Sequence, residues 1–359
     1  MLAREFWRDR SVLVTGHTGF KGGWLVTWLL DLGARVTGYA LTPHTTPSYF
    51  VRCGLAERVV SHVADVREAE SLQAALGAAR PSVVFHLAAQ PIVRLSYRAP
   101  LETISINVLG TATLLEAIRH TPSVEAVVVV TSDKCYENIE RPEGYLETDP
   151  LGGHDPYSAS KAAAELIALA YRRSFFAERG PRVATVRAGN VIGGGDWAAD
   201  RLVPDAMRAL VGGEPIRVRN PGAVRPWEHV LEPLGGYLRL AERLAASERF
   251  AGAWNFGPRE SDAVSVGVLA DLIVGQWEGA HWEATPEDRP PHEAGLLRLD
   301  WSKARTQLGW HPGLTLKEAV ALTVRWYRTA AGPATPAAMY ALSVEQIHDY
   351  QARWQTARE

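Results

Sequence analysis

"SVLVTGHTGFKGGWLV", residues 11–26, is the stretch that decides the predicted fold. A β-rich run at 11–15 leads directly into a turn with Gly16, Gly19 and Gly22 at three-residue spacing, and an apolar helix follows. Glycines allow the backbone to approach a pyrophosphate, and a helix N-terminus presents free N–H groups and a positive dipole end. An ordinary strand-to-helix turn can have the same letters. Its place in the first strand–helix unit nevertheless favours dinucleotide binding.

Strand and helix patterns alternate through the first half of the chain. The predicted strands are residues 11–15, 34–41, 59–66, 82–88, 125–132 and 182–189. This alternation predicts an α/β protein, with a Rossmann-type doubly wound parallel sheet and a smaller, interleaved C-terminal substrate lobe. In such sheets ligands bind beyond the carboxyl ends of the strands, so the candidate site lies there.

The pattern loosens into Gly- and Pro-rich loops after about residue 190. We therefore expect three parts: a dinucleotide-binding domain at 1–185 to which 232–256 returns, a substrate lobe at 186–231 and 257–330, and a linker with a C-terminal helix at 331–359. Within the last part, 329–338 reads as linker and 339–354 as an amphipathic helix.

Composition excludes several classes of protein. The 359 residues are 47% hydrophobic and carry a net charge of −2, which argues against a general nucleic-acid or membrane-surface binder. The two cysteines, Cys53 and Cys135, cannot form a disulfide framework, and the eleven histidines follow no metal-binding pattern. The charged N-terminus lacks the apolar core of a signal peptide. We expect a cytoplasmic protein with no metal, nucleic-acid or membrane partner.

A tyrosine and a lysine stand four residues apart in "YSASK", at the start of a helical run, so Tyr157 and Lys161 share one helix face. Alone the pair is common by chance. After a dinucleotide turn it acquires a role, because a tyrosine with a pKa near ~10 is a poor base at neutral pH. A positive charge ~5 Å away stabilises the phenolate by roughly 3 kcal/mol at an effective dielectric constant of ~20. Lys161 and a cationic nicotinamide would together make Tyr157 a base.

The strand "VVVVTSDKCY", residues 127–136, ends abruptly in Ser132, Asp133 and Lys134. An exposed ion pair after a strand is the alternative to an acid–base site. We favour the acid–base interpretation because the strand end belongs to the predicted ligand edge. Cys135 is better interpreted as a buried thiol than as a nucleophile.

These residues resemble the extended short-chain dehydrogenase/reductase family, which combines the glycine turn with an H-L-A-A segment at 86–89, a central Asn107 and Y-x-x-x-K. The resemblance implies NAD as cofactor. The residues implied to bind it are Gly16, Thr18, Gly19, Phe20, Gly22, Thr42, Asp65, Val66, Leu87, Ala88, Ala89, Gln90, Asn107, Thr131, Tyr157 and Lys161.

One feature of NAD-binding chains is missing, since no acidic residue ends the second predicted strand at 38–42. Thr42 is the candidate for the ribose hydroxyls, and Arg52 is the candidate for a 2′-phosphate if the cofactor were NADP. Asp65 is placed to bind the adenine amino group or to cap the next helix.

Within the family, several blocks spanning most of residues 7–260 are similar to those of the CDP-glucose 4,6-dehydratases. The implied reaction oxidises C4 of the glucose, eliminates water across C5 and C6, and returns the hydride to C6, as in deoxysugar and O-antigen biosynthesis. By this resemblance Ser132 bonds the C4 oxygen, Asp133 protonates the leaving hydroxyl and Lys134 stands where dTDP-glucose enzymes have a glutamate base. A lysine base must be neutral, which requires a pKa lowered from ~10.4.

A nucleotide sugar also needs cationic partners for its pyrophosphate. Arg187 is one candidate. Trp197 and Trp227 are candidates to stack on the pyrimidine, although tryptophans in such loops more often complete a core. The candidate substrate-binding residues are Gln90, Arg94, Asn190, Arg201, Arg219, Arg225 and His229.

Three other interpretations compete: an epimerase of the same fold, a non-catalytic dinucleotide sensor and a methyltransferase. Ser132–Asp133–Lys134 argues against the first, and the Tyr157–Lys161 pair argues against the other two. The resemblance also implies a homodimer or tetramer through a bundle of helices at about 100–120 and 157–178.

Overall fold

The computed structural model describes residues 2–178, 180–286 and 295–356. Its centre is a seven-stranded sheet in which every neighbouring pair of strands is parallel. Numbering strands along the chain, the order across the sheet is β3-β2-β1-β4-β5-β6-β10. These strands are β1 Ser11–Thr15, β2 Arg35–Ala40, β3 Val60–Val63, β4 Val83–His86, β5 Ala126–Val130, β6 Arg182–Ala188 and β10 Gly252–Phe256.

Two small sheets lie in the second half of the chain. In one, β9 pairs parallel to β7 and antiparallel to β11; in the other, β8 pairs parallel to β12. Their bounds are β7 Asn190–Ile192, β8 Ile216–Val218, β9 Val224–His229, β11 Ala263–Ser265 and β12 Trp282–Ala284.

Helices cover both faces of the large sheet. In chain order, the α-helices of the described residues are α1 Arg4–Trp7, α2 Phe20–Asp31, α3 Tyr49–Arg52, α4 Ala69–Ala79, α5 Val93–Arg98, α6 Pro100–Ile104, α7 Gly110–Arg119, α8 Pro156–Ser174, α9 Leu202–Val211, α10 Leu231–Ala246, α11 Val266–Val274, α12 Leu316–Ala331 and α13 Pro336–Thr356. Of these, α9, α11 and α12 pack on the two smaller sheets. A π-helical turn, Ser105–Leu109, joins α6 to α7.

Alternation along the strands divides the core into two layers. Val12 and Val14 of β1 belong to the larger cluster, whereas Leu13 belongs to the cluster on the opposite face. Burial on both faces is what a parallel sheet between two helix layers requires, and it explains the apolar runs in these strands. The predicted doubly wound α/β fold is therefore confirmed.

The C-terminal segment differs from its predicted bounds. Helix α12 continues to Ala331 and α13 already begins at Pro336, so the connection is much shorter than the predicted linker at 329–338. Helix α13 packs on α2, where the rings of Trp28 and Tyr350 lie 5.7 Å apart and perpendicular. The proline-rich letters that suggested a long linker instead end one helix and start the next.

The segment Pro100–Arg119 is long and apolar enough to span a bilayer by length and composition, with a mean hydropathy of 1.3. Nearly half of its most apolar window, 44%, is buried inside the protein. Length and composition alone are weak grounds for a membrane span, because core helices of other proteins pass the same test.

Candidate active site

A cleft of about 1230 Å³ lies at the carboxyl ends of the parallel strands. The sheet reverses its order between β1 and β4, so the loops after these two strands diverge and leave a crevice between the helices. The second half of the chain covers this crevice through the segments near β7 and β9. The cleft therefore has one wall from the glycine turn and another from the smaller sheets.

The glycine turn has the geometry that its spacing predicted. Gly16 has a φ of +74°, and a Cβ atom there would come within 2.8 Å of the backbone of Leu87 and Ala88. A Cβ on Gly22 would lie 2.1 Å from the Gly16 carbonyl oxygen, so α2 can approach the turn only with glycine at this position. Gly19 is the N-cap of α2 and provides no side-chain cap, which leaves the first N–H groups of the helix for an anion.

Thr42 and Asp65, which were predicted to bind the adenosine, both line the cleft. Asp65 accepts hydrogen bonds from the backbone and guanidinium of Arg67, which lower the pKa of its carboxyl group. Asp65 does not cap α4, whose N-cap is Glu68. Arg52 lies elsewhere, because its guanidinium donates to the carbonyl of Ala330 at 2.6 Å. The suggested 2′-phosphate contact from Arg52 is therefore wrong.

The loop after β4 is fixed by Gln90 and Asn107. The Gln90 backbone N–H donates to Asn107 Oδ1 at 2.8 Å, and Asn107 Nδ2 donates to Ser160 Oγ of α8 at 2.8 Å. The Gln90 side chain is engaged with Ile92 and Thr103. Gln90 thus shapes the cleft wall, and Asn107 supports that wall from behind, buried and outside the cleft lining.

The end of β5 brings three candidate catalytic side chains into the cleft. Ser132 Oγ donates to Asp133 Oδ1 at 2.9 Å, and Lys134 Nζ lies 3.3 Å from the same oxygen. Asp133 is 1% exposed, and among the described residues nothing hydrogen-bonds to its other oxygen, Oδ2. A buried carboxyl oxygen without a partner at the edge of a cleft is suited to binding a ligand hydroxyl.

Tyr157 and Lys161 project from the first turns of α8 beside this strand end. Burial raises the pKa of Tyr157 to about 12, which a hydrogen bond with Ser132 opposes. Burial lowers the pKa of Lys161 to about 8, with a contribution from the positive charge of Lys21, while the Glu165 carboxylate acts in the opposite direction. Without ligand, Tyr157 is therefore a neutral phenol at pH 7.

Of the predicted substrate residues, six line the cleft and one does not. Gln90, Arg94, Asn190, Arg201, Arg219 and Arg225 are in its lining. His229 is fully buried, accepts a hydrogen bond from the Leu231 N–H at Nδ1 and packs edge-on against Trp24. It is absent from the cleft lining and packs into the core at the end of β9, so its predicted contact with substrate is wrong.

Several of the other side chains considered as site candidates are packed in the protein interior. Arg187 is 2% exposed and makes a two-pronged contact with Glu165, which excludes it as a pyrophosphate ligand. Trp197 packs against Trp326 and Tyr327 in the core. Cys135 is buried, and burial raises the pKa of its thiol well above the usual value.

The remaining predicted cofactor residues also meet in the cleft. They are Thr18, Phe20, Val66, Ala89 and Thr131, together with the glycines, Leu87 and Ala88 described above. Two residues at the site were not predicted from the sequence: Lys21, which lines the cleft from the first turn of α2, and the buried Glu228 on β9. The only signal for Lys21 was a lysine inside a turn that is otherwise glycine and apolar.

A dinucleotide fits this arrangement. The uncapped start of α2 and the open side of Gly19 provide a pyrophosphate cradle that a side chain would fill. Tyr157 and Lys161 line the same cleft as this cradle. The structure thus has the residues to hold NAD along the carboxyl edge of the sheet.

The chain is similar in sequence to curated nucleotide-sugar dehydratases. A curated CDP-glucose 4,6-dehydratase from Salmonella typhimurium is 49% identical over 335 residues, covering 91% of this chain and 93% of that protein. A dTDP-glucose 4,6-dehydratase from Streptomyces griseus is 30% identical, covering 88% of this chain and 93% of that protein.

Among solved structures, Thermus thermophilus UDP-glucose 4-epimerase in complex with NAD has a TM-score of 0.77 and 27% identity, covering 89% of this chain and 99% of the epimerase. NAD is the cofactor of the family to which these nucleotide-sugar enzymes belong, in agreement with the geometry of the cleft. A profile for the family described as GDP-mannose 4,6 dehydratase matches residues 13–323. The chain therefore belongs to the GDP-mannose 4,6 dehydratase family, within the NAD-dependent epimerase/dehydratase superfamily.

Proposed function

We propose that the chain is a CDP-glucose 4,6-dehydratase, an NAD-dependent hydro-lyase that converts CDP-D-glucose into CDP-4-keto-6-deoxy-D-glucose and water. The observation that carries this function is the end of β5, where Ser132, Asp133 and Lys134 meet Tyr157 in one cleft. The 49% identity to a CDP-glucose 4,6-dehydratase supports the same reaction and the same nucleotide.

The first chemical step is oxidation at C4. NAD held by the glycine turn at Gly16, Gly19 and Gly22 would supply the hydride acceptor for C4 and the hydride donor for C6. Tyr157 takes the proton of the C4 hydroxyl, with Ser132 as a hydrogen-bonding neighbour of the phenol. Lys161, whose Nζ donates to the Val130 carbonyl at 3.2 Å, supplies a positive charge that lowers the pKa of the phenol for this step.

The second step is elimination of water. A ketone at C4 makes the C5 proton acidic, so one group must remove that proton and another must protonate the C6 hydroxyl. Asp133 is the proposed acid, because its Oδ2 is buried at the cleft without a partner in the described chain. Lys134 is the proposed base. The two lie 3.3 Å apart, so transfer of one proton from the ammonium to the carboxylate yields the acid and the base together.

The arginines on the far wall are proposed to hold the pyrophosphate of the substrate. Arg201 pairs with Asp196 at 2.9 Å and Arg219 with Asp200 at 3.1 Å, so both are fixed in place around the cleft. Arg225, Arg94 and Asn190 complete this proposed subsite. The choice of cytosine rests on the relationship to the CDP-glucose enzyme.

We expect two further properties. The exposed apolar side chains Leu101, Leu109 and Leu166 lie on α6 to α8, which supports a homodimer or tetramer through these helices. A reducing, cytoplasmic location suits the two buried free thiols, Cys53 and Cys135.

The test is incubation of the purified protein with NAD and CDP-glucose, followed by the alkaline absorbance of a 4-keto-6-deoxy sugar. The expected result is product from CDP-glucose and much less from dTDP-glucose or GDP-mannose. An epimerase would instead give the C4 epimer without the keto absorbance. The absence of keto product from all three sugars would overturn the dehydratase assignment.

A further inference from the structure

The loop that carries the proposed acid and base is held at both of its ends by one buried ion pair. This acid–base loop, residues 131–136, follows β5. At its first residue, Thr131 Oγ1 donates to Glu165 Oε1 at 2.5 Å. At its last residue, the Tyr136 hydroxyl accepts from Arg187 Nη1 at 2.6 Å. Arg187 donates twice to Glu165, at 2.9 and 2.8 Å, so both ends of the loop are tied to the same pair.

This arrangement lies in the protein interior. Its four members are all buried: Thr131, Tyr136, Glu165 and Arg187. The Tyr136 hydroxyl also donates to Asn255 Oδ1 at 2.8 Å, and its ring stacks on Tyr145 with the ring centres 5.0 Å apart. Hydrogen bonds among buried groups are strong and leave little freedom to the groups they join. The end of the loop at Tyr136 is therefore fixed in place.

The same ion pair connects the loop to the helix that carries the other catalytic groups. Glu165 belongs to α8, as do Tyr157 and Lys161, and the three follow one another at four-residue spacing on one helix face. Lys161 Nζ donates to the Val130 carbonyl at 3.2 Å, immediately before the Thr131 contact with Glu165. Helix α8 thus contacts the end of β5 at two successive residues.

The proposed reaction needs both groups of side chains around one sugar ring. Tyr157 acts at C4, whereas Asp133 and Lys134 act at C6 and C5. Within the described chain, the Asp133 side chain is hydrogen-bonded to Ser132 and Lys134, which belong to the same loop. The position of Asp133 relative to α8 is therefore set by the anchors at the two ends of the loop. Misplacement of a reacting group by about 1 Å can cost ~10²-fold in rate.

We propose that Arg187, Glu165 and Tyr136 are positioning residues, which hold the acid–base loop in register with α8 so that one bound hexose undergoes both oxidation and elimination. This inference rests on the proposed dehydratase function. Glu165 and Arg187 are absent from the cleft lining, and the Tyr136 hydroxyl is engaged with Arg187 and Asn255. These groups act on the reaction through the loop, and the burial of Arg187 has a function that a pyrophosphate ligand would not need.

The first variant is Tyr136→Phe. It removes one anchor and keeps the ring, and Arg187 retains its counter-ion Glu165. The backbone bonds from the Thr131 N–H to the Val186 carbonyl and from the Gly152 N–H to the Cys135 carbonyl remain to support the loop. Oxidation at C4 depends on α8 and continues, whereas elimination slows because Asp133 is displaced. We expect kcat to fall about tenfold and the fraction of enzyme with reduced nicotinamide during turnover to rise.

A second variant removes the ion pair itself. Arg187→Met combined with Glu165→Leu leaves no buried charge unpaired, so it is the folded alternative if Tyr136→Phe fails to fold. We expect a larger rise in the reduced fraction than for Tyr136→Phe, since both anchors are lost. The matched control is Thr185→Val, which removes a 2.7 Å hydrogen bond to Glu165 from β6 without touching the loop. It should lower stability and leave the reduced fraction at the wild-type value.

Absorbance of the reduced nicotinamide in steady state and the rate of keto-sugar formation measure these quantities. A purely structural role would reduce the amount of active enzyme without changing the reduced fraction. An unchanged or lower fraction in the folded variants therefore overturns the inference, as does an equal rise in Thr185→Val. A wild type without keto-sugar product ends both this inference and the proposed function, whereas an active wild type with an unchanged fraction in the variants ends only the positioning role.

Discussion

Asp133 is the residue on which the proposed chemistry depends most. Its buried Oδ2 can deliver a proton, and an amide at this position cannot. We expect Asp133→Asn to oxidise C4 and accumulate reduced cofactor while water loss falls by roughly 10²- to 10⁴-fold, the usual contribution of a general acid. Absorbance of the reduced nicotinamide and the yield of keto sugar measure the two steps separately. Normal turnover by this variant would exclude Asp133 as the acid.

The role of Lys161 can be tested through the pH dependence of the oxidation step. The pKa of Tyr157 in the free protein is about 12, so oxidation depends on positive charges that lower it once NAD is bound. Lys161→Met removes one of them, and the acid limb of cofactor reduction should move to higher pH. We expect a rate loss of roughly 10²-fold or more near pH 7 that diminishes towards about pH 10. A loss of equal size at both pH values would mean that Lys161 acts by binding alone.

At the level of elements, Glu165 joins α8 to two strands of the sheet. It lies one turn beyond Lys161 and accepts from Thr131, Thr185 and the Arg187 guanidinium. Glu165→Ala leaves the Arg187 charge buried without its counter-ion, so we expect a loss of about 3–5 kcal/mol in the free energy of unfolding. Denaturant titration measures it.

The control for Glu165 is Arg187→Met and its combination with Glu165→Leu. The double variant replaces a buried ion pair by apolar side chains, so it should be more stable than Glu165→Ala. If the double variant is the least stable of the series, the network around Glu165 contributes through more than its charge balance.

The elements around the site were predictable where local sequence decides them. The turn at Gly16, Gly19 and Gly22 follows from backbone sterics, and β5 follows from its run of valines. The burial of Arg187 and His229 could not be predicted from the sequence. Each is a polar residue in a strand, and nothing local shows that it packs in the interior. The role of Glu228 could not be predicted either, because its electrostatic interaction with Lys21 joins residues far apart in the chain.

At the scale of the whole molecule, one buried glutamate, Glu232, connects α13 to α10. Glu232 of α10 accepts from the N–H groups of Gly313 and Leu314 and from the hydroxyl of Tyr350 on α13. Burial nevertheless raises the pKa of Glu232 to about 7. Between these two pKa values the folded state therefore keeps a proton that the unfolded state, with a pKa near ~4.3, has already released.

This linkage predicts how stability depends on pH. The contribution of Glu232 is fully present below about pH 4, falls as pH rises towards 7 and then levels off, with a total change of up to about 3 kcal/mol. Glu232→Gln should flatten the unfolding free energy between about pH 5 and 7 relative to the wild type. Urea titrations at several pH values measure it, and equal slopes for the two proteins would contradict the raised pKa.

The division into a dinucleotide-binding domain and a substrate lobe stays a prediction, although one of its features has a structural counterpart. The segment 232–256 contains α10 and β10, and β10 pairs with β6 at the edge of the large sheet. The second half of the chain thus supplies both a cleft wall and part of the sheet. Such interleaving makes independent folding of residues 1–185 unfavourable, since this segment ends inside β6 and lacks the β10 strand that covers the edge of β6.

Assembly is the last property to test at this scale. Leu101 is 81% exposed and Leu166 54% exposed, on neighbouring helices α6 and α8, and apolar side chains this exposed favour burial against a second copy. We expect Leu101→Glu with Leu166→Glu to convert an oligomer into a monomer in light scattering after gel filtration, because the symmetric contact would bury like charges. Val211→Glu, at an apolar position on α9 that is about as exposed as Leu166, is the control and should leave the mass unchanged. An unchanged mass for the double variant, or a monomeric wild type, would remove the helix bundle as the site of assembly.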